Sequence, residues 1–290
     1  MAHVRAALDS EAGWARDMWR TFAGELGFAA LAIPEASGGA DLGVRALALT
    51  AEELGATLAP IPWFETAVLS ATVLRECDAA ALLQRIAAGD CVSTLAWRDA
   101  AGRPDGIGPS LRDGKLSGAA HYVAFGHAAD LLLVVARAGN VLALCAVEAR
   151  QPGVAISRDA TLDLTRPLSH VTFDSVAAEI VALDVGASLQ RAFAIAGAVP
   201  QNAAIQRVAP NDMRGQVTAF YLFMFTFFGA MGSWFIGVIS DHVTHNLGQA
   251  ILATAFILMP TAAFLMYRAI TPYREEVERL EALEKETAHV

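Results

Sequence analysis

Two long stretches without a formal charge constrain this chain more than any other feature. Residues 215–240 and 246–267 run for 26 and 22 positions without Asp, Glu, Lys, Arg or His. At 1.5 Å per helical residue, each is long enough to cross a hydrocarbon layer about 30 Å thick. The first, VTAFYLFMFTFFGAMGSWFIGVI, has no polar side chains beyond Thr and Ser, which with Gly suit close helix contact in a membrane. The pair is therefore expected to form a two-helix transmembrane hairpin over 215–270. Arg207 and Arg214 precede it, Arg268 and Arg274 follow it, and the turn SDHVTHNLGQ holds neither Lys nor Arg, which predicts both ends on the cytoplasmic side. The opening HVRAALDSEAGWARDMWR is charged throughout and does not read as a signal peptide. The expected location is an inner or cytoplasmic membrane, with membrane lipid in contact and the amino-terminal domain and tail cytoplasmic.

The remaining composition narrows the function. With 21 basic against 30 acidic residues the chain carries a formal charge of -9, and it has no clustered basic patch, so nucleic acid is not an expected partner. Cys77, Cys91 and Cys145 lie far apart and fit no metal spacing; they read as small core residues in a reducing compartment. Glu275, Glu276 and Glu278 belong to a hydrophilic tail, REEVERLEALEKE, over 271–290, and read as a solvated helix. Gly38-Gly39 lacks the strand, helix and Lys of a phosphate loop and reads as a turn.

Periodicity divides the first 184 residues. Trp14, Met18, Trp19, Phe22 and Leu26 recur at helical spacing, and further helices are expected through Leu47, Leu54 and Leu58, over about 63–76, and over about 79–88. After Asp90 the pattern changes to strands: CVSTLAW, KLSGAAHYVAFG, ADLLLVVARAG, NVLALCAVE, GVAISR and SHVTFDSV. Gly139-Asn140 predicts a tight hairpin, and the unbroken apolar runs around it predict strands covered on both faces. The fold class is α+β: a helical domain over 1–89, an antiparallel β-barrel-like domain over 90–184, a junction with a partial helix over 185–214, and then the hairpin.

Several segments resemble one family in order and spacing. LGFAALAIPEASGGADLG and AEELGATLAPIPWFETAVLS are similar to the early helices of acyl-CoA dehydrogenases, and LRDGKLSGAAHYVAFGHAADLLLVVAR and LDLTRPLSHVTFDSV resemble their middle β-domain. The resemblance covers residues 10–197. From 198 to 272, PQNAAIQRVAPNDMRGQVTAFYLFMFTFFGAMGSWFIGVISDH and ILATAFILMPTAAFLMYRAI resemble the last two helices of a major facilitator superfamily transporter.

The first resemblance implies FAD and an acyl-CoA thioester as ligands, and flavin-dependent α,β-dehydrogenation as the activity. Family members remove a proton beside the thioester carbonyl with a carboxylate of a carboxyl-terminal helical domain while hydride passes to the flavin. No residue here matches that base, so the catalytic set is empty and activity is expected to be impaired. Where the family has Trp-Ile-Thr or Trp-Ile-Ser against the flavin, this chain has Tyr122, Val123 and Ala124; where it has Thr-Glu-Pro, the chain has Trp97, Arg98 and Asp99. Trp97, Tyr122, Val123 and Ala124 are the cofactor-binding candidates by position, with no metal ligands. His121 and His127 flank the Tyr122 strand, and Arg166 reads as an ion-pair or turn residue. The expected partners are acyl-CoA and either a second copy or another chain that supplies missing helices. The alternatives to an enzyme are a non-catalytic, membrane-anchored interaction protein and a gene-fusion relic.

Overall fold

The computed structural model describes residues 2–103, 106–161 and 163–208, with scattered positions between 232 and 279. The chain forms two compact units, Met1–Gln201 and Asn202–Val290.

In the first unit, helices α1 (Ala2–Leu8), α2 (Arg16–Trp19), α3 (Gly43–Ala56), α4 (Ala71–Glu76) and α5 (Ala80–Ala87) precede eight strands. The expected stripe of Trp14, Met18, Trp19, Phe22 and Leu26 is only half realised. Trp14 and Trp19 are buried, whereas Met18 and Leu26 are 38% and 61% exposed. For Leu26 the reason is local: after α2 the backbone widens into a π-helical segment, Arg20–Glu25, whose longer turn rotates later side chains out of a 3.6-residue stripe. The following loop is set by Gly39, where a Cβ would lie 2.0 Å from the Ile33 carbonyl oxygen. A second π-helical segment, Phe64–Ser70, leads directly into α4.

The strands are β1 (Ser93–Ala96), β2 (Ser110–Arg112), β3 (Lys115–Ala124), β4 (Leu131–Ala138), β5 (Val141–Glu148), β6 (Val154–Arg158), β7 (Leu168–Ala177) and β8 (Glu179–Leu183). They do not form the expected antiparallel barrel. The sheet is open, in the order β6-β7-β3-β2-β4-β5-β8, with β1 attached in parallel to β4. Alternating apolar residues fix which face of a strand is covered but carry no signal for closure, and β1 and β2 both run parallel to β4, a pairing that no hairpin turn announces. The β4–β5 hairpin follows the expected register, Ala138 opposite Val141, with Gly139 at φ +61°. Leu131–Ala136 is buried without interruption because both faces of β4 are covered.

One apolar cluster joins helical residues such as Trp63, Val68 and Leu74 to Leu133 and Leu144 of the sheet and to Leu189 of α6 (Gly186–Val208); a second, around Leu132, Val134 and Phe173, fills the other face.

The expected transmembrane hairpin is not supported. Among the described residues no helix is long and apolar enough to cross a membrane, and the membrane location and lipid contact inferred from that hairpin fall with it. Residues 215–231 and nearly all of the 271–290 tail lie outside the described residues. A charge-free run records how its side chains partition, not whether its backbone stays one regular helix. In the described part of the second unit the backbone turns π-helical over Ser240–Thr244, where Asp241 and His242 are exposed.

Candidate functional site

The four residues singled out by position divide between two neighbouring features, linked by the loop after β1. Trp97 and Arg98 begin that loop. The Gly108 amide donates to the Trp97 carbonyl at 2.9 Å, the His121 amide donates to the Arg98 carbonyl at 2.9 Å, and Arg98 bridges to Ile107. The loop is thereby folded back against β3.

Tyr122 and its neighbours form the first feature. Tyr122 adopts φ +57°, as Phe125 does at +51°, which breaks the β3–β7 register between Ala120 and Val123. A bulky residue takes that conformation at a cost of about 1–3 kcal/mol, which its surroundings must offset. Phe125 is buried, its amide donating to Pro167, and the Tyr122 phenol donates to the Ala100 carbonyl at 3.0 Å. The Tyr122 ring remains 46% exposed, lying over Gly102, where a Cβ would come within 3.2 Å of it. His121 stacks on His170 at 6.0 Å, and His170 Nδ1 meets Asp159 at 3.2 Å. The Arg103 guanidinium, hydrogen-bonded to Asp99 at 3.0 Å, holds that carboxyl below the usual range.

Val123 is 1% exposed and belongs to the core. Ala124 contributes only its carbonyl, which accepts from the Thr94 hydroxyl at 2.7 Å. A flavin presents carbonyl oxygens along its pyrimidine edge and needs donors opposite them. Across Tyr122, Val123 and Ala124 the one side-chain donor is already given to Ala100, so these residues by themselves do not fit the group.

Trp97 forms the second feature. Its ring lies 5.4 Å from Phe193 of α6, tilted by 42°, with the Arg98 guanidinium 5.2 Å above it. Together with Val135, Arg137, Leu142 and Leu189 these rings wall a cleft of about 720 Å³. The cleft is mainly apolar and suits an aliphatic or flat group. None of its lining residues is Asp or Glu. The sequence reading omitted Phe193; the signal was present in the four-residue spacing of Leu189 and Phe193. Arg166 pairs with Glu65 at 2.5 Å, away from Trp97 and Tyr122 in the contacts each makes. His127 stacks on Phe125, with ring centroids 6.3 Å apart.

Residues 1–90 match the acyl-CoA dehydrogenase N-terminal domain family. Among curated proteins, 94 residues are 36% identical to acyl-CoA dehydrogenase IpdE2 of Mycolicibacterium smegmatis, covering 32% of this chain and 30% of that protein. Over 170 residues the chain is 31% identical to acyl-CoA dehydrogenase FadE27 of Mycobacterium tuberculosis, covering 56% and 44%. The chain thus spans less than half the length of these relatives. A further 83-residue match, 32% identical, is to an MFS-type efflux pump of Mycolicibacterium smegmatis, covering 27% of this chain and 19% of the pump. In fold, the chain is similar to the ChsE4-ChsE5 complex from Mycobacterium tuberculosis, with a TM-score of 0.61 at 24% identity over 71% of this chain and 59% of that one. It is also similar to a glutaryl-CoA dehydrogenase from Mycobacterium smegmatis in complex with FADH2, with a TM-score of 0.55 at 18% identity over 70% and 61%. The first unit has an acyl-CoA dehydrogenase-like fold.

Proposed function

We propose that the chain is one component of an acyl-CoA dehydrogenase, acting on an acyl-CoA thioester together with a partner chain that carries FAD and the proton-abstracting carboxylate. Taken alone it is impaired in α,β-dehydrogenation. The helical part, 1–89, and the strand part, 90–184, act as scaffold, and the Trp97–Phe193 cleft holds an apolar portion of the ligand.

The observation that carries this reading is the segment Tyr122–Val123–Ala124. By the resemblance of the sequence it stands for the segment that family members hold against a flavin; it keeps an aromatic surface, yet leaves no side-chain donor free. The lack of Asp and Glu around the cleft supports an external base. A partner is further supported by the fold likeness to a complex of two named subunits. A second copy of this chain would repeat the same missing donor, which favours a different chain.

The test is the visible absorption spectrum of the full chain, purified alone and coexpressed with a flavin-binding acyl-CoA dehydrogenase, before and after anaerobic addition of acyl-CoA. The expected result is no flavin band from the chain alone and a band that bleaches from the pair. A flavin band that copurifies with the chain alone and bleaches would overturn the reading. So would a partner fully active without it, which would favour a non-catalytic interaction protein.

A further inference from the structure

The lining of the Trp97–Phe193 cleft is polar at one end only. Val135 and Arg137 are two residues apart on β4 and share a face, and Leu142 stands opposite Arg137 on β5. β1 runs beside β4 with Ala96 opposite Val134, so Trp97, the next residue, comes level with Val135. The cleft thus crosses three neighbouring strands, about 10 Å from its β1 end to its β5 end, against Leu189, Gln190 and Phe193 of α6. Its interior is apolar and closed: Val135 is 1% and Leu189 6% exposed. Its β5 end is polar and open to solvent, where Arg137, Asn140 and Gln190 are all exposed. Among the described residues the Arg137 guanidinium has no ion-pair or hydrogen-bond partner. Arg98, at the other end, is taken up by the Trp97 ring and by the Gly102 carbonyl at 3.4 Å.

From this placement we infer that the acyl group bound in the cleft ends in a carboxylate, held at the β5 end by Arg137, which makes Arg137 a specificity-determining residue. The inference rests on the reading that the cleft holds the apolar portion of the ligand. By the resemblance of the sequence Trp97 is a cofactor-side position, so the reacting thioester belongs at the β1 end and the far end of the acyl group at Arg137. A guanidinium presents a planar fork of N–H donors that a carboxylate fills with two parallel bonds, and the Asn140 and Gln190 amides can donate to the oxygen lone pairs left over. No Asp or Glu in the lining competes for the guanidinium. A chain with a formal charge of -9 repels anions over most of its surface, so a free guanidinium at the open end of an apolar cleft marks a place where one is accepted.

The experiment is calorimetric titration of the full chain, without flavin or partner, with three N-acetylcysteamine thioesters: octanoyl, the monothioester of octanedioic acid, and the methyl ester of that monothioester. The octanedioic monothioester is expected to bind about three- to fivefold more tightly than octanoyl, and the methyl ester, which keeps the length and loses the charge, should lose that advantage. Arg137→Gln alters only an exposed side chain, so the fold is retained, and it should bring the affinities for the charged and neutral thioesters together. Equal binding of the charged and neutral thioesters to the unmodified chain, or a preference that survives Arg137→Gln, would overturn the carboxylate while leaving the cleft as the place for the acyl group. Binding of none of the three would overturn both. The flavin spectrum that tests the dehydrogenase reading is read separately, so its failure leaves the measured preference standing.

Discussion

Removing the Arg166 guanidinium should destabilise the fold in a manner that depends on pH. Arg166, in the turn before β7, reaches back 101 residues to Glu65 in the π-helical segment before α4, placing Nη2 2.5 Å from Oε1. Glu65 is 2% exposed and its second oxygen is buried without a partner, while the Arg166 side chain is 51% exposed. Two unit charges at about 4 Å interact by about 4 kcal/mol at an effective dielectric constant of 20. With one partner half in water, roughly half of that survives, about 2 kcal/mol. The guanidinium also lies 5.6 Å above the Phe64 ring, a contact worth about 0.5–1 kcal/mol. Arg166→Gln should therefore cost about 2–3 kcal/mol at neutral pH. Burial pushes the Glu65 carboxyl above its ordinary 4.5 and Arg166 draws it partly back. With the folded value above the unfolded one, stability from this group is fully present below 4.5 and lost as pH rises through the folded value. Without Arg166 the carboxyl rises further and more is lost. The difference between wild type and variant should thus grow as pH rises through the folded values, being larger at pH 7 than at pH 4.5. Urea unfolding at both pH values measures it through the midpoint at constant slope. A difference at pH 7 below about 0.5 kcal/mol, or one equal at both pH values, would refute the argument. So would an undiminished cost of Arg166→Gln in a Glu65→Gln background.

Burial, and then Arg158, hold His127 below its ordinary 6.5. The folded state thus binds fewer protons, and stability should be full above 6.5 and fall as pH drops through the folded value; His127→Gln should flatten the urea midpoint between pH 7.5 and 5, and an unchanged slope would count against the assignment. Burial pushes the Cys91 and Cys145 thiols up to about 11, so at pH 8 a disulfide reagent should label half-buried Cys77 first in the native chain, with the other two following only on unfolding. Three equal labelling rates would refute that ordering.

Much of the first unit could be read from the sequence because its signals are local. The Gly139-Asn140 turn between two apolar runs specified β4 and β5 to the residue pair, and the helical period specified α5 within one residue at either end. Signals were weak where structure depends on distant pairing. Ser110–Arg112 is three residues long and becomes a strand only because β3 and β4 lie beside it. Of the candidate site, Tyr122 and Trp97 could be chosen by position, but the bulge that turns Tyr122 toward Ala100 arises from non-Gly left-handed residues that no propensity favours. The apolar runs after residue 214 misled because hydropathy sums side chains and is blind to the backbone's path.

The apolar cluster shared by the helices, β4, β5 and α6 sets a schedule for synthesis. Trp63 and Leu74 leave the ribosome before Leu133 and Leu144, the residues that cover them. Elongation proceeds at about 5–20 residues per second, so these helices wait roughly 3–15 s for the strands that complete their core. During that interval the helical segment is a client for whatever shields nascent apolar surface, and the fast local closure of β4 on β5 ends the wait.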